Sequence, residues 1–152
     1  MSDLRDRAVR GLAAGDVLAV TRRFTAADVD GFGALTRDRN PVHSEPSFTA
    51  AKGFAGPICH GLLVGSMVTE IGGEVAWLAT EMTFRFRRPV YPGDVITCTL
   101  TILEVDEKQR ATARAVLTNQ DGIEVVEATL TGRLPTSAER VLLAELSGAA
   151  ER

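Results

Sequence analysis

Hydrophobic positions along this chain keep two different periods, and the change between them marks its organisation. Residues 17–24 (VLAVTRRF) have the β-branched and aromatic character of a strand. Thr25 then precedes Ala-Ala-Asp, which puts Asp28 at the third helical position and makes a capping-box-like start. The helix that follows is expected to carry Val29, Phe32 and Leu35 on one side and to end near Thr36. Over residues 58–71, Ile58, Leu62, Leu63, Met67 and Ile71 approximate one face of a second helix. Its opposite positions, Gly61, Val64, Gly65 and Val68, are small or apolar too, so this helix is expected to be buried and closely approached. Beyond it the period shortens. Residues 76–86, 94–105, 111–119 and 123–133 are rich in Val, Ile, Thr, Leu and Phe, with alternation clearest in Thr83-Phe84-Arg85-Phe86-Arg87. Pro92-Gly93-Asp94, residues 106–109 and Asn119-Gln120-Asp121-Gly122 supply turns. One strand, helical material, then four antiparallel strands predict an α+β fold with a central helix against one face of a twisted sheet. Residues 137–146 are expected to form a short surface helix, with flexible ends at about 1–12 and 136–152.

Composition narrows the class without changing that picture. At 152 residues, 45% hydrophobic and 24% charged, the chain suits one domain spanning 1–152. A net charge of −3 offers no overall footprint for nucleic acid. Cys59 and Cys98 are far apart without metal-type spacing, and two free thiols fit a reducing compartment. The charged N-terminus lacks the apolar core of a signal peptide, and no apolar run approaches the roughly 20 residues that cross a bilayer. A cytoplasmic protein without membrane contact is expected. Two histidines and two cysteines form no usual ligand spacing, so no metal or other cofactor is expected.

Residues 37–57 contain Asn-Pro, Glu-Pro and Gly-Pro and are expected to be mostly irregular. A long loop in a compact domain is often functional. Within Thr36-Arg37-Asp38-Arg39-Asn40-Pro41-Val42-His43, proline keeps Asn40 out of the helical region. A turn there can bring the Asp38 carboxylate and the His43 imidazole together, a pairing suited to proton transfer near neutral pH. The same residues also suit a purely structural turn with a solvated histidine. Downstream, Gly61 opens the apolar helix, where a free N–H at the positive end of the helix dipole suits an oxygen gaining negative charge. It equally suits close packing.

Asp38-Arg39-Asn40-Pro41-Val42-His43, followed by GPICHGLL and later by FRFRRPVYPGD, resembles the MaoC-like (R)-specific enoyl-CoA hydratase and 3-hydroxyacyl dehydratase family over residues 17–133. The resemblance implies a hotdog fold, an antiparallel sheet wrapped around a long central helix, and usually a homodimer. It implies reversible hydration of trans-2-enoyl thioesters to (R)-3-hydroxyacyl thioesters, carried by coenzyme A or an acyl carrier protein. Asp38 and His43 match the catalytic pair, Asn40 the motif asparagine that shapes the turn, and Gly61 the glycine whose N–H holds the thioester oxygen. Thr69, with Ser66 second, lies nearest to the hydroxyl that assists the aspartate in some members. Cys59 departs from the small aliphatic residue more common before His-Gly, and reads as a packing substitution. Arg85, Arg87 and Arg88 are the one local basic cluster, with Arg85 and Arg87 on one strand face; they suit substrate phosphates or a solvated edge. Two rival readings share the fold. A thioesterase would want a carboxylate on the central helix, where Glu70 is the only acid, and a non-catalytic partner subunit would lack the pair.

Overall fold

The computed structural model describes residues 2–150. Its elements run α1 (Asp3–Arg10), β1 (Val17–Arg23), α2 (Ala26–Thr36), a 3-10 turn (Pro41–His43), α3 (Pro46–Ala51), α4 (Gly61–Gly65), α5 (Met67–Glu74), β2 (Leu78–Phe86), β3 (Val95–Val105), β4 (Arg110–Thr118), β5 (Glu124–Arg133) and α6 (Ser137–Ala150). All strand pairs are antiparallel, in the order β1-β3-β4-β5-β2, so β1 and β2 are the edges. This is the α+β arrangement expected.

The alternation in the strands becomes rows across the sheet. One row joins Leu18, Leu100, Ala115, Ala128 and Phe84; the next joins Val20, Cys98, Leu117, Val126 and Phe86. Strands β3 and β4 bury every second residue, so a single face carries the core. Ala113, Ala115 and Ala128 leave a shallow trough in the middle of that face. Into the core pack Val64, Met67, Val68 and Ile71 of the helical segment. At the β2 edge the sizes reverse: strand residues are large and helix residues are glycine. A methyl on Gly65 would lie 2.9 Å from Phe84 Cε1, and one on Gly61 would lie 2.7 Å from Phe86 Cε1. Both glycines are therefore required by the two stacked phenylalanines (ring centroids 6.1 Å apart, planes within 7°).

Several expectations change. The central helix is two helices: at Ser66 the hydroxyl donates to the Leu63 carbonyl (2.6 Å), and ψ opens to −13°. A hydroxyl bonding back to its own turn bends a helix. Nor is the segment buried all round, because Leu62 is 58% exposed and Thr69 and Glu70 face outward. Leu35 is 83% exposed, leaving Val29 and Phe32 as the inward residues of α2. Within residues 37–57 the 3-10 turn and α3 are regular, each opened by a proline in its first turn, a position where a missing N–H costs nothing. Of the ends expected to be flexible, residues 1 and 151–152 lie outside the described residues, and the described parts include helices in contact with each other. Ala8 of α1 and Leu143 of α6 join the core cluster, and Arg140 lies against Gly11.

Candidate active site around Asp38 and His43

Local hydrogen bonding fixes the loop after α2 residue by residue. The Thr25 capping box starts the helix: Asp28 N–H donates to Thr25 Oγ1 and Thr25 N–H to Asp28 Oδ2. At its other end Arg37 takes a left-handed conformation (φ 60°), which turns the chain back. Thr36 Oγ1 donates to the Phe32 carbonyl (2.7 Å) and accepts from Asp38 N–H (3.3 Å). Asn40 N–H donates to Asp38 Oδ1 (3.1 Å), and Asn40 Oδ1 accepts from Val42 N–H (3.1 Å). Asn40 itself is extended, as its proline requires. Buried Val42 anchors the short turn that carries His43.

The histidine's tautomer follows from its partner. His43 Nδ1 lies 2.8 Å from the Ile58 carbonyl, which can only accept, so Nδ1 carries the hydrogen. In the neutral ring Nε2 is then an acceptor, 3.6 Å from Asp38 Oδ2. Two acceptors at that separation cannot bond each other, but a water can donate one hydrogen to each. Asp38 is the more exposed member of the pair and His43 the more buried one.

A cavity of about 610 Å³ opens beside the pair, lined by Asp38, His43, Phe54, Gly61, Phe86 and Arg88 among others. Gly61 is the first residue of α4, so its N–H has no partner within the helix. Phe86 packs against the bare α-carbon, and any side chain there would collide with that ring. The structure thus brings Asp38, Asn40, His43 and Gly61 together.

Of the other expected site residues, Arg87 and Arg88 also line this cavity and the rest fall elsewhere. Ser66 bonds Leu63, and Thr69 Oγ1 donates to the Ser66 carbonyl (2.6 Å); neither lines this cavity within one chain. Thr69 instead borders a separate apolar cavity of about 140 Å³ with Gly72, Trp77 and Met82. Glu70 is exposed and outside the lining. Arg87 is held by Glu124 (3.1 Å) and Glu127, with Arg114 sharing Glu127 at 3.1 Å. Those bonds, Glu127 first, raise the Arg87 pKa, and the two arginines hold the Glu127 carboxyl below its ordinary value. Arg85 lies on the outer face opposite Glu127 and away from the cavity. Arg88 lines the cavity and has no ion pair among the described residues. Burial pushes the Cys59 thiol up to about 11, so it is inert as a nucleophile at neutral pH.

His60 was not among the residues expected in the site. It is 3% exposed, and its ring stacks on His43 with centroids 3.7 Å apart and planes at 26°. Only two histidines occur in the chain, at the two ends of the proline-rich stretch before α4, and that was the available signal. Asp38, His43 and His60 offer donor atoms within 4.8 Å of one another, a cluster that linear spacing did not reveal. Shared metal binding is nonetheless poorly served. Imidazole lone pairs lie in the ring planes, and two stacked planes only 26° apart do not meet at a metal–nitrogen bond length of about 2 Å.

Comparisons with known proteins bear on this arrangement. The family model described as MaoC like domain matches residues 13–125. The (R)-specific enoyl-CoA hydratase of Aeromonas caviae is 30% identical over 133 residues, covering 83% of this chain and 98% of that protein. The 3-hydroxybutyryl-CoA dehydratase of Methylorubrum extorquens is 29% identical over 130 residues, covering 83% of this chain and 82% of the other. Among solved structures, the A. caviae (R)-hydratase involved in PHA biosynthesis matches with a TM-score of 0.76 at 30% identity, covering 83% of this chain and 99% of that one.

Proposed function

The chain belongs to the MaoC-like domain family, and we propose that it adds water reversibly to trans-2-enoyl thioesters, giving (R)-3-hydroxyacyl thioesters. The observation that carries this reading is the facing of Asp38 Oδ2 and His43 Nε2 across 3.6 Å, with the histidine tautomer set by Ile58. A water held between them has its hydrogens directed and one lone pair free for the β-carbon. As the carbon–oxygen bond forms, one water proton passes to the pair and one proton is delivered from the pair to the α-carbon on the same face. The pair ends as it began, and the substrate has gained H and OH. Gly61 N–H meets the thioester oxygen as it becomes enolate-like, a contact whose loss typically costs about 3–4 kcal/mol of barrier.

Asn40 contributes through the turn, by fixing Asp38 Oδ1 and Val42. Of the three arginines, Arg88 is the one free to meet a phosphate of coenzyme A or of a carrier's phosphopantetheine. The working form is a homodimer or a higher homo-oligomer. The unpaired β2 edge, with Leu78, Met82 and Phe86 exposed along it, and exposed Leu62 on α4 support this. In such an assembly Ser66 or Thr69 from a second copy becomes available to a site whose own lining hydroxyl, Thr36, is engaged with Phe32 and Asp38. Among the described residues no helix is long and apolar enough to cross a membrane. Two free buried cysteines support a cytoplasmic setting.

Asp38→Asn and His43→Gln are each expected to nearly abolish the loss of enoyl-thioester absorbance with crotonyl-CoA. Full activity in either variant would exclude the mechanism. Release of free thiol in place of hydration would point to hydrolysis instead.

A further inference from the structure

The buried ring of His60 has a use that the hydration mechanism leaves unassigned. Both its nitrogens are buried, neither makes a hydrogen bond of good geometry, and the one polar group that weakly engages the ring is the Asp38 backbone carbonyl. The close contacts of the side chain are made chiefly by its flat face. One face lies on His43 (centroids 3.7 Å), and Phe32 stands beside the ring at 5.0 Å. Phe32 packs against the core from α2, so the layers are tied to the fold. Helix α2 also approaches closely at Gly33, where a methyl would lie 3.5 Å from His60 Nε2 and 3.6 Å from the Asp38 carbonyl oxygen.

His43 needs such support. Its hydrogen bond to Ile58 fixes the position of Nδ1 but leaves the ring free to swing about that contact. A swing moves Nε2 away from Asp38 Oδ2 and so off the point where one water can meet both groups. A stacked ring fixes the plane, which the hydrogen bond alone does not.

We propose that His60 is a positioning residue: its ring is the platform that sets the plane of His43 and so keeps Nε2 opposite Asp38. It acts through His43 and touches no reacting atom. The inference rests on the hydratase reading for its catalytic consequence, but not for its structural one.

The test compares the full chain with His60→Ala and His60→Phe, reading crotonyl-CoA kinetics and the ¹⁵N spectrum of labelled histidine. Either variant leaves His43 as the sole histidine, so assignment is direct. His60→Ala is expected to lower kcat about 10- to 100-fold with KM within about threefold, as loss of orientation does. The Ile58 bond should keep His43 in the Nδ1–H form, while its Nε2 signal should shift as that nitrogen leaves its place opposite Asp38. His60→Phe, which keeps a flat face and removes the nitrogens, should keep the parent's Nε2 signal and restore kcat to within about threefold of the parent. If the alanine variant does not fold, the phenylalanine variant decides alone, by keeping or losing both properties. Unchanged kcat and Nε2 signal in His60→Ala would overturn the platform. So would equal impairment of both variants, which would place the role in the nitrogens. Should the parent hydrate no enoyl thioester, the hydratase reading fails, while the spectra still decide whether His60 orients His43.

Discussion

Gly61 shows how much one residue has to satisfy here. Its amide is proposed to meet the substrate oxygen, and its α-carbon carries the Phe86 ring, which would stand 2.7 Å from an added methyl. Gly61→Ala is therefore expected to displace Phe86 into the cavity, lowering kcat/KM by about tenfold or more while destabilising by roughly 1–3 kcal/mol. Adding Phe86→Leu should recover part of the stability, and steady-state kinetics with thermal melts on both variants check this. His60 sets a second residue-scale expectation. Burial, and then the neighbouring His43, lower its pKa from the ordinary 6.5, with Asp38 pulling the other way. The unfolded chain takes up a proton near 6.5 that the folded chain resists, so this contribution to stability is intact above 6.5 and is lost as pH falls from there towards the depressed folded value. Denaturant titrations should show a smaller loss of stability across that window for His60→Phe than for the parent. An equal loss in both would remove His60 as its source.

Among the elements, those whose signals are local were the legible ones. The capping box at Thr25 and the alternating strands need only neighbouring residues, and the structure reproduces both. Thr25→Ala is expected to cost about 1 kcal/mol, measured by chemical denaturation. The helix at 61–74 was legible as apolar but not as bent, because its kink depends on where the Ser66 hydroxyl turns. Residues 37–57 read as irregular because prolines punctuate them, yet two of those prolines open short helices. Pairing partners distant in the chain left no trace at all. Arg87 is tied up by Glu124 and Glu127 from β5, and no local rule connects those positions. Gly132 is similar: a methyl there would strike Trp77 Nε1 and the Leu78 carbonyl of the adjoining strand end. Backbone cannot yield as a ring does, so Gly132→Ala should destabilise more than Gly61→Ala, by roughly 3 kcal/mol or above.

For the whole molecule, the motif order singled out the pair and the glycine, which the structure places on one cavity, while burial was out of reach. Spacing placed Asp38 and His43 in one turn, but His60 enters the site only because α4 starts beside that turn. Leu62 was read as interior because it falls on the apolar face of the helical wheel, yet it is 58% exposed. If the homodimer forms, light scattering should give twice the 16.3 kDa chain mass, and Leu62→Glu with Met82→Glu should shift it towards one. Arg88→Glu should raise KM for CoA substrates by about tenfold with kcat little changed, and Arg85→Glu should leave KM alone.

Trp77 borders the small cavity at the far end of α5 and is the chain's sole tryptophan. Its indole is thus a built-in fluorophore whose emission has one origin and no background from the reactive end. A colour change on adding saturated acyl thioesters of increasing tail length would reveal how far the hydrocarbon travels, without any turnover being needed.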